Sequence, residues 1–328
     1  MRRFSLWILF LLLLANTAAF AQTSPSSAAD YFKRGVARYA KGDHDGAIAD
    51  YDKAIALNPY DPDAYYNRGL ARYAKSDFDA AIADNDQTIA LNPGYANAYL
   101  NRGLARNDKG DHVGAIADYN KVIALNPNEA EAYYNRGNAL KAKGDLDGAI
   151  ADFDKYLSLT PSNPKYFADG YVTRGNARDA KGDHDGAIAD YNRAIDLNPD
   201  AAEAFYSRGN VRKAKGDLDG AIADFDKYIS LTPSNPNYLA DGYLNRGNAR
   251  HAKGDHDGAI VDINKAIELN PQGARAYLSR GLVQLRRGKD AEAQPDFDAA
   301  FKIDPSLKAE WEKTINDIKQ SRATTTKP

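Results

Sequence analysis

An Arg-Gly pair recurs along the chain, with its glycine at Gly35, Gly69, Gly103, Gly137, Gly175, Gly209, Gly247 and Gly281. Five of the seven intervals are 34 residues; the other two, Gly137 to Gly175 and Gly209 to Gly247, are 38. A fixed period of this length marks an array in which one small supersecondary unit stacks on the next, because a unit of that size cannot bury its apolar face alone. The 328 residues therefore count repeats rather than separate cores.

Each period carries two helix signals. The Lys41-Gly42-Asp43 string supplies a glycine stop followed by a carboxylate able to cap a second helix, and Asn58-Pro59 ends that helix. With Gly35 counted as position 8, Tyr31, Ala47, Tyr51, Ala54 and Pro59 fall at positions 4, 20, 24, 27 and 32. Small residues at 8 and 20 let two helix backbones approach, and aromatics at 4 and 24 fill the space between stacked hairpins. On these residues the chain resembles the tetratricopeptide-repeat family across nearly the whole mature chain. The resemblance implies an all-α fold, a right-handed superhelical solenoid of eight helix-turn-helix repeats over residues 29–305. A polar capping helix is expected over 306–321, with Trp311, Ile315 and Ile318 at helical spacing.

The sequence departs from the family at position 7, where leucine is usual. Arginine stands there in all eight repeats (Arg34, Arg68, Arg102, Arg136, Arg174, Arg208, Arg246, Arg280), and position 23 is always aspartate. In an antiparallel hairpin turning near position 15 the two lie at one level, so each arginine is expected to pair with its own repeat's aspartate, as Arg34 with Asp50. Residues 141–199 recur at 213–271 with ten differences in 59 positions, a duplicated two-repeat unit. In both copies position 27, alanine in four of the eight repeats, is a tyrosine, Tyr156 or Tyr228, just before a four-residue insertion. Each ring is expected to push the next hairpin outward, with the extra helical turn covering it.

The ends differ from the repeats. Arg2 and Arg3, an apolar run from Phe4 to Ala15, and Ala19-Phe20-Ala21 form a secretory signal over 1–21, which directs the chain to the periplasm or outside the cell. Residues 22–28 and 322–328, rich in Ser, Thr and Pro, are expected as a flexible linker and a disordered tail. No membrane insertion is expected after signal removal.

Signal removal leaves a net charge of about −4, with basic residues spread beside aspartates, which speaks against nucleic acid as a partner. Zero cysteines exclude disulfides, thiol catalysis and thiolate metal sites. His44, His112, His184 and His256 all occupy position 17, two repeats apart and too far to share a metal, while His251 stands alone on a first helix. The Asp-x-Asp-Gly strings are too short for a calcium loop and suit helix starts. No nucleophile elbow, phosphate loop or zinc-protease motif occurs, so no catalytic residue, metal or cofactor is expected.

The inner stripe of the first helices, at positions 2, 5, 6, 9, 12 and 13, carries the functional expectation. Tyr39, Tyr66 and Tyr73, with Phe32, Leu70, Leu100 and Leu104, make its N-terminal half apolar. Asn67, Asn101, Asn135 and Asn245 at position 6, and Asn138, Asn176, Asn210 and Asn248 at position 9, make the rest amide-rich. Long superhelical members of the family grip peptide backbones with such an asparagine row, so the resemblance implies a non-catalytic scaffold binding extended segments of other proteins or peptides. The alternative is an envelope-structural scaffold that associates with itself.

Overall fold

The computed structural model describes residues 26–159, 164–232 and 234–325. Among them every regular element is an α-helix, and the helices pair into antiparallel hairpins. The chain divides into two compact units, residues 1–127 and 128–328. The first unit holds α1 (Ala28–Ala40), α2 (His44–Leu57), α3 (Pro62–Ala74), α4 (Phe78–Leu91), α5 (Ala96–Asp108) and α6 (His112–Leu125). The second holds α7 (Ala130–Ala142), α8 (Leu146–Ser158), α9 (Pro164–Lys181), α10 (His184–Leu197), α11 (Ala202–Ala214) and α12 (Leu218–Leu231). It continues with α13 (Pro236–Lys253), α14 (His256–Leu269), α15 (Ala274–Arg286), α16 (Asp290–Ile303) and α17 (Ser306–Thr325).

The hairpin turns are made as the sequence predicts. The glycine after each first helix takes a left-handed backbone, from φ 79° at Gly288 to φ 96° at Gly254, which glycine adopts without steric cost. Repeat 2 alone puts a side chain there, Ser76 at φ 63°. The next aspartate caps the second helix, as Asp43 accepts from the Gly46 amide at 2.9 Å and Asp217 from the Gly220 amide at 3.0 Å. Position 8 must be small because the position-24 side chain, an aromatic ring in six of the eight repeats, lies on it. A Cβ on Gly35 would sit 2.7 Å from Tyr51, and one on Gly103 2.6 Å from Tyr119.

All eight expected Arg–Asp pairs form. In repeat 1, Arg34 Nε and Nη2 reach the two oxygens of Asp50 at 2.7 and 2.5 Å, a planar fork on a carboxylate. The same fork joins Arg68 to Asp84, Arg102 to Asp118, Arg136 to Asp152, Arg174 to Asp190, Arg208 to Asp224, Arg246 to Asp262 and Arg280 to Asp296. Every one of these aspartates is buried. In six repeats a second arginine at position 11 reaches the same carboxylate, Arg38, Arg72, Arg106, Arg178, Arg212 and Arg250 standing 2.7–3.0 Å away. The first arginine also lies over its position-4 ring, as Arg208 over Phe205 at 5.4 Å.

That arginine's remaining nitrogen reaches back to position 25 of the preceding hairpin. Arg68 meets Asp52 at 2.6 Å, Arg174 meets Asp154 at 2.5 Å, Arg208 meets Asn192 at 2.5 Å and Arg280 meets Asn264 at 2.6 Å. Position 14 makes a second backward contact, Lys75 to Asp45, Lys215 to Asp185 and Arg287 to Asp257. Within each unit, the arginine the sequence places inside a repeat thus also ties a hairpin to the one before it.

The long repeats depart from expectation. Tyr156 and Tyr228 are 9% and 7% exposed, but what makes room is a glycine at position 3 of the next repeat, where most repeats have alanine. A Cβ on Gly170 would lie 2.5 Å from Tyr156, and one on Gly242 2.9 Å from Tyr228. The rings meet Tyr134 at 5.1 Å and Tyr206 at 4.9 Å, both at a tilt, while Tyr238 on the extra turn is exposed. Tyr166 lies outside the residues whose side chains are described. The accommodation includes an exchange of volume, tyrosine in and methyl out.

The termini also differ. Ser27 accepts from the Asp30 amide at 3.1 Å and Asp30 returns the bond to the Ser27 amide, a capping box that ends the linker before residue 27. Helix α17 runs four residues beyond its expected end, and Arg322 within it bonds Asp290 at 2.5 Å and the Leu285 carbonyl, so residues 322–325 are not tail. Trp311, Ile315 and Ile318 pack with Leu285 and Phe297 as a cap should. The signal expected at 1–21 and residues 326–328 lie outside the described residues, among which no helix is long and apolar enough to cross a membrane.

Candidate functional site

Successive first helices touch one another within each unit, α1 with α3, α3 with α5, α9 with α11, α11 with α13 and α13 with α15. Where they touch they line a face backed by the second helices, and the candidate residues stand on these first helices. Their side chains are less free than the sequence implies.

Tyr39 packs against the core of Ala47, Tyr51 and Ala71 and meets His44 at a tilt, ring centroids 5.2 Å apart; burial pushes its phenol up. Tyr73 meets Phe78 at a tilt, ring centroids 5.5 Å apart, and donates to Asp108 of the next hairpin at 2.7 Å, which makes it a strut between repeats. Tyr66 lies at a tilt against Tyr95, ring centroids 5.1 Å apart, and the Tyr95 hydroxyl donates to Asp63 at 2.7 Å. Burial and that carboxylate push the Tyr95 phenol up, so it remains a proton donor.

The asparagines divide by what their amides do. Asn67 donates to the Asp63 carbonyl at 2.8 Å, Asn138 to Tyr134 at 3.0 Å and Asn210 to Tyr206 at 3.1 Å, each one turn back on its own helix. Asn176 accepts from the Tyr191 hydroxyl at 2.8 Å. Asn245 donates to the Asp241 carbonyl and the Tyr206 hydroxyl at 3.0 and 3.1 Å and accepts from Lys213 at 2.9 Å. Asn101 is only 4% exposed, and its amide nitrogen, like that of Asn135, is buried with no hydrogen-bond partner. Asn248 is half-buried and makes no side-chain hydrogen bond among the described residues. The row is therefore mostly pinned, with donors spent and several carbonyl oxygens left to accept. Burial lowers the ammonium pKa of Lys141 and Lys213, which stand among these amides.

Sequence reasoning missed one systematic contact. Positions 12 and 17 face each other across the turn, pairing Asn107 with His112 at 2.9 Å and Asp179 with His184 at 2.8 Å. His251, expected to stand alone, has its Nδ1 2.9 Å from that of His256. The five-residue spacing, constant through the array, is the signal that could have found it. No group of three or more histidines or acids able to hold a metal occurs among the described residues.

Comparison with known proteins agrees with this geometry. A model described as TPR repeat matches residues 35–76, 105–144, 175–216 and 247–288, more than half of the chain. Models described as tetratricopeptide repeat match 130–163, 202–235 and 274–307. The chain belongs to the tetratricopeptide-repeat family, whose repeats serve as protein–protein interaction scaffolds. Among solved structures, it is similar to the C-terminal part of a TPR repeat-containing protein from Cytophaga hutchinsonii, with TM-score 0.61, 17% identity, and coverage of 76% of this chain and 98% of that one. A tetratricopeptide repeat protein from Parabacteroides merdae gives TM-score 0.59 and 20% identity, covering 78% and 98%. The APC/C hetero-tetramer Cut9-Hcn1 gives 0.57 and 18%, covering 84% of this chain and 53% of the other. At these identities the likeness is one of fold. No protein of curated function matches the sequence.

Proposed function

We propose that the face formed by the first helices holds extended segments of partner proteins, without catalysis. The observation that carries this reading is the pinned asparagine row. An amide that donates to its own helix, as in Asn67, Asn138 and Asn210, is held in place and leaves its carbonyl oxygen to accept a backbone N–H from a ligand. Each such contact contributes roughly 0.5–1.5 kcal/mol net. Replacing Asn138 and Asn210 together by alanine should weaken a segment recovered from envelope extract by about five- to a hundredfold in calorimetry, with helix content unchanged. Unchanged affinity would move binding off this face.

This reading is favoured over self-assembly by α17, which covers the stacking face of the last hairpin. A mass that rises with concentration would reverse that preference. The proposal also places the protein outside the cytoplasm after cleavage before Gln22, and an intact mass retaining residues 1–21 would contradict it.

A further inference from the structure

In the first unit, Tyr95 stands between α4 and α5 and caps α5 with backbone angles φ −77° and ψ 82°. Its ring lies against Tyr66 of α3, and its hydroxyl donates to Asp63 at 2.7 Å, so the chain fills the inner mouth of this joint with a residue of its own. Tyr95 follows Asp63 by 32 residues, and in the second unit Gly273 follows Asp241 by the same interval. Gly273 caps α15 with φ −77° and ψ 81°, so the backbone repeats while the side chain is missing. Leu244 stands where Tyr66 does. The result is an open cleft of about 310 Å³, with Leu244, Ala266, Ala276 and Ile303 in its wall and Asp241 and Gly273 on its lining. That volume is at the lower end of small-ligand sites.

We propose that this cleft between α13 and α15 binds the phenol of a tyrosine carried by a partner segment, its ring against Leu244 and Ala266 and its hydroxyl donating to Asp241. Tyr95 shows the arrangement in cis, down to the carboxylate acceptor. An apolar wall beside the Asp241 carboxylate suits a phenol, which sets its ring on the wall and its hydroxyl on the acceptor, while Asp304 and Arg275 complete the polar rim of the cleft. The proposal rests on the reading that the first-helix face holds protein segments, and it names the side chain one part of that face selects.

The test uses the full processed chain and p-cresol, with toluene as the ring without a hydroxyl. In NMR titrations p-cresol should shift the Gly273 amide and Leu244 methyl signals, with a dissociation constant on the order of 1 mM. Toluene should bind at least about tenfold more weakly, because a hydrogen bond to a charged acceptor is lost. Gly273→Tyr should raise Tm and abolish p-cresol binding, since it rebuilds the arrangement of Tyr95. Tyr95→Gly should open a second p-cresol site, and p-cresol should restore part of the Tm lost. Absence of shifts at Gly273 and Leu244, equal binding of toluene, or unchanged binding to Gly273→Tyr would each overturn the site. A recovered segment weakened by the Asn138 and Asn210 substitutions but indifferent to Gly273→Tyr would overturn the phenol site and leave the groove reading standing. Hydroxyl-dependent p-cresol binding in the cleft, with a segment indifferent to both asparagines, would support the site and sink the groove reading.

Discussion

In hairpin α3–α4 the place under Gly69 is held by Asn85 and position 27 by Thr88, both fully buried. In hairpin α11–α12 the same places hold Phe225 and Tyr228, with Gly242 of the next helix making room. The first interior is small and polar. Thr88 donates to the Asp84 carbonyl at 2.9 Å and Asn85 to Ala81 at 2.7 Å, but the Asn85 carbonyl oxygen has no partner. The second is aromatic, with Tyr206 against Phe225 at 6.1 Å. Both hairpins nevertheless carry the same frame, a fork from Arg68 to Asp84 or Arg208 to Asp224, joined by Arg72 or Arg212. The comparison teaches that the frame sets the hairpin and that the filling varies within it.

The hardest blow to that view is to remove the frame. Asp84→Ala and Asp224→Ala each leave two arginines without their buried carboxylate and should cost about 3–5 kcal/mol. Hydrogen exchange within each hairpin would measure the loss. A cost in α3–α4 far below that in α11–α12 would mean that the filling, not the frame, carries the fold.

Next in size is Gly242→Ala. The added methyl meets Tyr228 and Ile229 at 2.9 and 2.8 Å, and overpacking of this kind costs about 1–3 kcal/mol. Tyr228→Ala in the same chain should recover part of it, whereas additive losses in denaturant melts would show that the two positions are not exchanging volume.

Asn85→Tyr would convert the polar interior to the common one. Removing the unpartnered oxygen and burying a ring beside Gly69 should gain about 1–2 kcal/mol, read as slower exchange in α3–α4. A loss would show that neighbouring side chains have closed over the space. Ser76→Gly, which relieves the left-handed serine of the same hairpin, should gain roughly 1 kcal/mol and leave α11–α12 untouched.

The smallest effect separates the duplicated copies, in which His251 replaces Asp179. Burial, with like charge from His256 and Arg286, pushes the His251 imidazole down to about 4. The unfolded ring titrates near 6.5, so between these values the unfolded chain binds the proton first and stability falls as pH drops from about 6.5 toward 4. Solvent screening of this half-exposed ring keeps the fall below about 1 kcal/mol. His251→Asp should flatten it, as judged by exchange in α13–α14 at pH 7 and pH 5.

The helices, their caps and the eight Arg–Asp forks were legible because each rests on contacts inside one 34-residue period, which spacing alone exposes. What escaped depends on a neighbouring period or on one missing side chain. Gly170 and Gly242 stand out only against the tyrosine of the preceding repeat. Tyr39 and Tyr73 share a stripe with groove residues, but their rings turn onto His44 and Phe78 across the hairpin. The spacing of asparagines says nothing of where their amides bond, and Asn101 is buried. The cleft beside Asp241 is visible only when Gly273 is set against Tyr95.

Within the second unit, the backward contacts of position 7 give successive hairpins a plug on one side and a socket on the other, and the two are interchangeable from hairpin to hairpin. Arg174 on Asp154 matches Arg246 on Asp226, and Arg208 on Asn192 matches Arg280 on Asn264. A block cut anywhere in register therefore arrives with fittings that mate at both seams, which is how residues 141–199 could be copied to 213–271 with so few adjustments. For such a chain, length is an inheritable variable, altered by unequal copying without any step at which the protein must fold by new rules.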